Sequence, residues 1–88
     1  MISVTILTRN SAETLEATLE SVASFPEVIL YDTGSSDETL SIGKRFSNVK
    51  IVKGEFEGFG RTHNAATASA SYDFILSLDS DEVLTPEL

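Results

Sequence analysis

Short apolar runs alternate along the chain with longer stretches whose apolar residues recur at helical spacing. Residues 2–7 (ISVTIL) are β-branched and apolar but too few for a helix, which predicts a buried strand. From Ser11 the pattern changes, with Ala12, Leu15, Leu19 and Val22 at helical spacing and Glu13, Glu16 and Glu20 between them. Ser11 is the expected N-cap, the first-turn acid favours the positive end of the dipole, and Pro26 closes the unit. Residues 28–31 (VILY) predict a second strand that ends at Asp32. Gly34 then supplies a turn, and Ser35 with Glu38 has capping-box spacing for a second helix. That helix carries Leu40, Ile42 and Phe46 and is expected to end near Asn48, with Gly43 as a weak point of ~1 kcal/mol relative to Ala. Residues 49–52 predict a third strand, GEFEGFG a loop, 61–70 (RTHNAATASA) a small-residue helix, and 72–78 a fourth strand. Thr85-Pro86-Glu87 has the form of an N-cap and first turn of a further helix.

The resulting order, β-α-β-α-β-α-β with short connections, predicts an α/β, Rossmann-like, mostly parallel sheet with right-handed crossovers. With strand order 3-2-1-4, the first and fourth strands are neighbours and the winding reverses between them. Ligands of open α/β sheets bind beyond the C-terminal strand ends at such a switch point. No repeat, low-complexity tract or linker interrupts residues 1–88, which read as one domain or part of one.

Composition narrows the function. Fourteen Asp and Glu against six Lys and Arg give a formal net charge of −8. That balance argues against nucleic acid as a partner and against adhesion to an anionic membrane. The absence of cysteine excludes disulfides and thiolate metal sites. The first residues show no basic region followed by a long apolar stretch, and no run approaches the roughly 20 apolar residues of a bilayer span. The expectation is a cytoplasmic globular unit.

The polar residues at the predicted strand ends carry the chemistry. One rim would collect Thr8, Arg9 and Asn10 after the first strand, Asp32 after the second, and Asp79 and Asp81 after the fourth. Carboxylates at i and i+2 can reach a common hard cation. Mg2+ or Mn2+ takes one or two carboxylates and completes its shell with water and substrate phosphates. The competing reading of Asp79-Ser80-Asp81 is a solvated acidic turn. Asp32 could equally close an Asx turn on nearby backbone N–H groups, and Thr8 or Asn10 could cap the following helix. Arg61, beside the glycine-rich loop, is an anion contact or a solvated cation. His63 is the only histidine and has no second His or Cys nearby, which argues against zinc.

Taken in order, the TRN strand end, Asp32-Thr33-Gly34-Ser35-Ser36-Asp37-Glu38-Thr39, Gly58 to Asn64 and Asp79-Ser80-Asp81 resemble the N-terminal half of family 2 glycosyltransferases with the GT-A fold. The wording SFPEVILYDTGSSDETL and GFGRTHN is most similar to the bacterial lipopolysaccharide-core type, and the expectation is a cytoplasmic protein that is peripheral to the inner membrane at full length. The resemblance covers essentially the whole chain. It implies that Asp32 contacts the donor's base, typically uracil, with Thr8 and Asn10 lining the nucleoside pocket and Arg61 or His63 at its edge. It also implies that Asp79 faces the ribose or the metal and that Asp81 ligates the Mn2+ or Mg2+ bridging the diphosphate. The implied reaction is inverting transfer from a nucleotide sugar, here a UDP-sugar, to a saccharide or glycolipid acceptor. His63 departs from the family, many members of which carry Arg there.

In that family the acceptor region and the catalytic base lie beyond the Asp-x-Asp motif. The expectation is therefore a donor-binding fragment, with the base beyond Leu88 and not at Glu82 or Glu87, that binds nucleotide weakly and transfers no sugar. Two other classes compete. LDSDEVL also fits the haloacid-dehalogenase phosphatase pattern, with Asp79 as nucleophile, although that motif normally opens its domain. A non-catalytic α/β nucleotide-binding or interaction module would keep the fold without the chemistry. Gly58-Phe59-Gly60 lacks the third glycine of a dinucleotide fingerprint, and Asp79 to Leu84 lacks the glycine an EF-hand needs.

Overall fold

The computed structural model describes residues 2–81, apart from the side chains of Phe59 and His63. Its elements in order are β1 (Ile2–Thr8), α1 (Ala12–Ser21), β2 (Glu27–Asp32), α2 (Thr39–Gly43), β3 (Val49–Lys53), α3 (Phe59–Ala68) and β4 (Phe74–Asp79). The expected helix at Thr85-Pro86 lies outside the described residues, as do Glu82 and Glu87.

The strands form one sheet in the order β3-β2-β1-β4, with every pairing parallel, as the alternation predicts. Alternation of side chains sends Val4 and Ile6 of β1, Val28 and Leu30 of β2, and Leu78 of β4 to one face. There they join Leu15, Leu19, Val22 and Ile42 in the main core, with Phe25, Phe46, Val49 and Ile51 packed around it. The opposite face carries Thr5 and Ile29, and α3 lies against β1 and β2 with Thr62 and Ala66 buried. Connections β1–α1–β2 and β2–α2–β3 step one way across the sheet, and β3–α3–β4 steps back. Right-handed crossovers therefore put α3 on the face opposite α1 and α2.

Several boundaries differ from the sequence reading, each for a physical reason. β4 begins at Phe74 and includes Asp79, so of the Asp79-Ser80-Asp81 motif Ser80 and Asp81 lie past the strand. α3 begins at Phe59, two residues before its expected start, with Gly58 as N-cap at φ 92°. α2 stops at Gly43 instead of running to Asn48. Beyond it, Arg45 N–H donates to the Ile42 carbonyl and Phe46 N–H to the Gly43 carbonyl, so the backbone continues in i→i+3 turns. Gly43 itself is a packing residue, since a Cβ there would lie 2.6 Å from Leu30 Cδ2.

Neither expected side-chain cap forms. Ser11 occupies the N-cap of α1, but its hydroxyl makes no bond within the helix. The Ser35–Glu38 capping box is absent, because Glu38 is the N-cap of α2 and the Ser35 hydroxyl is used by the β2 end. Instead, the N-terminus of α1 is capped from another segment. Ser11 N–H donates to Thr39 Oγ1 at 2.8 Å and Ala12 N–H to Asp37 Oδ2 at 3.2 Å. The Asp37 carboxylate thus sits at the positive end of the α1 dipole.

Candidate functional site at the C-terminal rim of the sheet

Register decides which side chains meet at the rim. Thr8 is the partner of Asp32 across β1 and β2, and Leu7 is the partner of Asp79 across β1 and β4. The last residues of three adjacent strands therefore lie within one residue of the same level, at the point where the winding reverses.

Asp32 is only 3% exposed, and the loop is built around its carboxylate. Oδ1 accepts from the Thr8 hydroxyl at 3.0 Å and from the Ser35 hydroxyl, while Oδ2 accepts from Gly34 N–H at 3.1 Å and Ser35 N–H at 2.9 Å. Burial pushes the Asp32 carboxyl up, but the Ser35, Gly34 and Thr8 hydrogen bonds outweigh it and hold the group below the usual carboxylate range. Gly34 has φ 120°, a conformation open to glycine, and this lets successive N–H groups converge on one carboxylate. The Asx-type turn weighed in the sequence is thus formed.

Asn10 stitches the β1 end to the same loop. Its backbone is left-handed at φ 52°, which Asn tolerates. Its Oδ1 accepts from Ser36 N–H at 2.7 Å and Asp37 N–H at 3.3 Å, and its own N–H donates to Ser35 Oγ. The hydrogen bond from the Thr39 hydroxyl, then those from backbone N–H groups, keep the Asp37 carboxyl low against a smaller opposing effect of burial.

Two cavities open on this rim and meet at Leu7. The larger, of about 530 Å³, is lined by Leu7, Asn10, Ser11, Glu13, Thr14, Asp79, Ser80 and Asp81. The smaller, of about 290 Å³, is lined by Leu7, Thr8, Arg9, Thr33 and Phe56. The structure therefore brings Asn10, Asp79 and Asp81 into one cavity and Thr8 into its neighbour. Asp32 is buried and lines neither cavity, and Arg61 is exposed in the first turn of α3, outside both cavities. Sequence reasoning passed over Thr14, Ser80, Thr33 and Phe56. Hydroxyls at positions 11, 14 and 18, at helical spacing, were the available signal for the first two.

The donor set suits a hard cation that is shared with a ligand. Asp79 and Asp81 are exposed residues on one cavity wall, and among the described residues no group of three or more His, Cys, Asp or Glu lies close enough to hold a metal ion by itself. Two carboxylates leave most of an octahedral shell to water and phosphate oxygens, which is how Mg2+ is commonly bound. Three acids lining the cavity, Glu13, Asp79 and Asp81, would repel a bare diphosphate.

Known proteins resemble the chain in both sequence and fold. The model of the glycosyl transferase family 2 matches residues 3–88. An uncharacterized glycosyltransferase of Rickettsia bellii is 34% identical over 88 residues, which cover 99% of this chain and 30% of that protein. The poly(ribitol-phosphate) beta-N-acetylglucosaminyltransferase TarS of Staphylococcus aureus is 32% identical over 96 residues, covering 97% of this chain and 17% of its own. The chain thus spans less than a third of the length of these curated relatives. Among solved structures, S. aureus TarS in complex with UDP-GlcNAc superposes with a TM-score of 0.86 at 32% identity over 98% of this chain and 28% of that one. Glucosyl-3-phosphoglycerate synthase from Mycobacterium tuberculosis, in complex with Mn2+, UDP and glucosyl-3-phosphoglycerate, gives 0.78 at 25% identity over 91% and 33%. The four-stranded parallel sheet is that of the GT-A fold these enzymes share. With a family match from residue 3 to residue 88, the chain belongs to glycosyl transferase family 2.

Proposed function

We propose that residues 1–88 are the nucleotide-sugar donor-binding part of a glycosyltransferase, and that the donor is a UDP-sugar held with a divalent cation, Mn2+ or Mg2+. The observation that carries this reading is the convergence of Asn10, Asp79 and Asp81 on one cavity at the switch point between β1 and β4. Relatives support the donor: TarS is solved with UDP-GlcNAc, and the mycobacterial synthase with UDP and Mn2+.

In this reading the nucleoside lies over the β1 and β2 ends. Thr8 and Asn10 shape that surface, and Asp32 holds the loop that meets the base. Arg61 approaches from α3 as the anion contact at the edge. Asp79 and Asp81 hold the cation beside the diphosphate. When bound, the cation supplies neutralisation of the charge that develops on the departing diphosphate. The residues of this chain orient the donor, and fixed carboxylates and N–H groups do so without reorganising during the reaction. Inverting transfer to a saccharide or glycolipid acceptor of the cell envelope, the lipopolysaccharide core among them, completes the proposal, with the base contributed beyond Leu88. Family membership and the place of Asp79 on the fourth strand of the sheet leave the phosphatase nucleophile without support.

Calorimetric titration of UDP, GDP and CDP with and without Mn2+ tests the proposal. UDP binding that tightens at least tenfold with Mn2+ is expected. Absence of nucleotide binding under every condition would overturn the donor-site assignment, and Mn2+-independent binding would favour a non-catalytic module.

A further inference from the structure

We propose that Thr14 and Thr18, with Ser11, are positioning residues that fix the Asp79-Ser80-Asp81 turn to α1. The inference rests on the donor-site reading and deepens it by naming what holds the carboxylates in place.

The β1–β4 ladder ends at the Leu7–Asp79 pair, so the turn beyond it needs other support. It comes from one face of α1, where residues 11, 14 and 18 follow one another at helical spacing. Thr14 Oγ1 donates to the Ser80 carbonyl oxygen at 2.9 Å, and Thr18 Oγ1 donates to the same oxygen at 3.0 Å. The Ser11 hydroxyl donates to Ser80 Oγ at 2.9 Å. A carbonyl oxygen has two lone pairs, and here both are taken by hydroxyls of a single helix. The residue between the two acids is therefore clamped through its main chain and its side chain together.

Thr18 shows that the arrangement runs against local preference. It is fully buried beside Leu15 and Leu19, where an aliphatic side chain would pack as well and favour the helix more. Its hydroxyl also reaches the Thr14 carbonyl at 3.3 Å, a bond any helical threonine can make. Only the bond to Ser80 is long-range. The same helix end receives the caps from Asp37 and Thr39, so α1 joins the loop built on Asp32 to the acidic turn. Nucleoside and diphosphate ends of a donor would thus be held by loops anchored on one rigid element.

The test uses the full chain with Thr14→Val and Thr18→Val, singly and together, and the corresponding serine variants as rescue. Amide hydrogen exchange of Asp79, Ser80 and Asp81 is read without ligand, and UDP affinity is read with and without Mn2+. Valine at both positions is expected to speed exchange at the turn at least tenfold. It is also expected to weaken Mn2+-dependent UDP binding five- to tenfold and metal-free UDP binding by less than about twofold, with serine restoring both. The exposed Thr14→Val alone gives a smaller shift in the same direction and covers the case in which buried Thr18→Val fails to fold. Unchanged exchange at the turn, equal loss of metal-free and metal-dependent binding, or serine variants as impaired as the valines would each overturn the proposal. Wild-type chain that binds no UDP with or without Mn2+ would instead overturn the donor-site reading, and the positioning role with it.

Discussion

Thr8 and Asp32 are partners across the β1–β2 ladder, and the Thr8 hydroxyl donates to Asp32 Oδ1 over 3.0 Å inside the protein. The bond joins the ends of the two central strands to the carboxylate around which the following loop is folded. Thr8→Val keeps the side-chain shape and removes one donor from a buried anion, which costs about 1.5–3 kcal/mol. Urea unfolding should show this as a lower midpoint with an unchanged slope, and Thr8→Ser should recover most of it. A Thr8→Val midpoint equal to wild type would show that the bond adds nothing to folding.

Acid should destabilise the fold through the same group and through Glu27. Glu27 lies at the opposite end of the sheet, where it accepts from Ser71 N–H at 2.7 Å, from the Ser71 hydroxyl and from the Ser3 hydroxyl. The Ser71 N–H bond leads the effects that hold its carboxyl below the usual range, against the opposing pull of burial. For Asp32 and Glu27 alike the folded-state pKa is depressed. Their contributions are complete above the unfolded values of about 3.9 for Asp and 4.3 for Glu, and fade as pH falls below these through the lower folded values. The urea midpoint should be level from neutrality to about pH 5 and then decline steadily. Asp32→Asn should be less stable at neutral pH and show a shallower acid decline. An acid decline as steep in Asp32→Asn as in wild type would remove Asp32 from the account.

The order of elements was legible in the sequence because apolar runs and the 3.6 period are local signals that tertiary contacts here reinforce, whereas the strand order 3-2-1-4 is not carried by local periodicity and accompanied the family resemblance. The stretch from Ser3 to Ile6 and the run VILY are buried on both faces of the sheet, and their β-branched and apolar residues say so. The ends of elements were not legible, because tertiary partners took the groups that local rules assign. The Ser35 hydroxyl bonds Asp32 rather than capping α2, and Asp37 reaches across to cap α1. The site shows the same division. Asp79 and Asp81 become candidates through their residue type, their spacing and their place in the order of motifs, whereas Thr14 and Thr18 acquire meaning only once Ser80 is beside them in space.

Gly54 marks a close approach with a testable partner. A Cβ on Gly54 would lie 1.9 Å from the Tyr31 hydroxyl oxygen and 2.5 Å from Tyr31 Cζ. Tyr31 is buried and its ring is rigid, so Gly54→Ala forces a shift and should cost about 1–3 kcal/mol by overpacking. Because the hydroxyl is the nearest atom, Tyr31→Phe should relieve part of that cost when the two changes are combined. Purely additive destabilisation in the double variant would place the strain elsewhere.

Removing Asp81 should separate binding from folding. Asp81 is exposed at the end of the turn, and it lines an acidic cavity with Asp79 and Glu13. Like charges facing one cavity raise the energy of the metal-free protein, so Asp81→Ala should leave stability within about 0.5 kcal/mol of wild type or slightly above it. The same change should remove most of the Mn2+-dependent tightening of UDP binding, because one of the two proposed carboxylate ligands is lost and its place in the shell passes to water. Glu13→Gln lowers the cavity charge by the same amount. Among the described residues, however, Glu13 forms no three-member metal cluster with the two aspartates, so the tightening should persist. Calorimetry of the three proteins side by side distinguishes a specific grip from a general effect of charge. Equal loss in Asp81→Ala and Glu13→Gln would mean that the cavity attracts the cation by net charge alone.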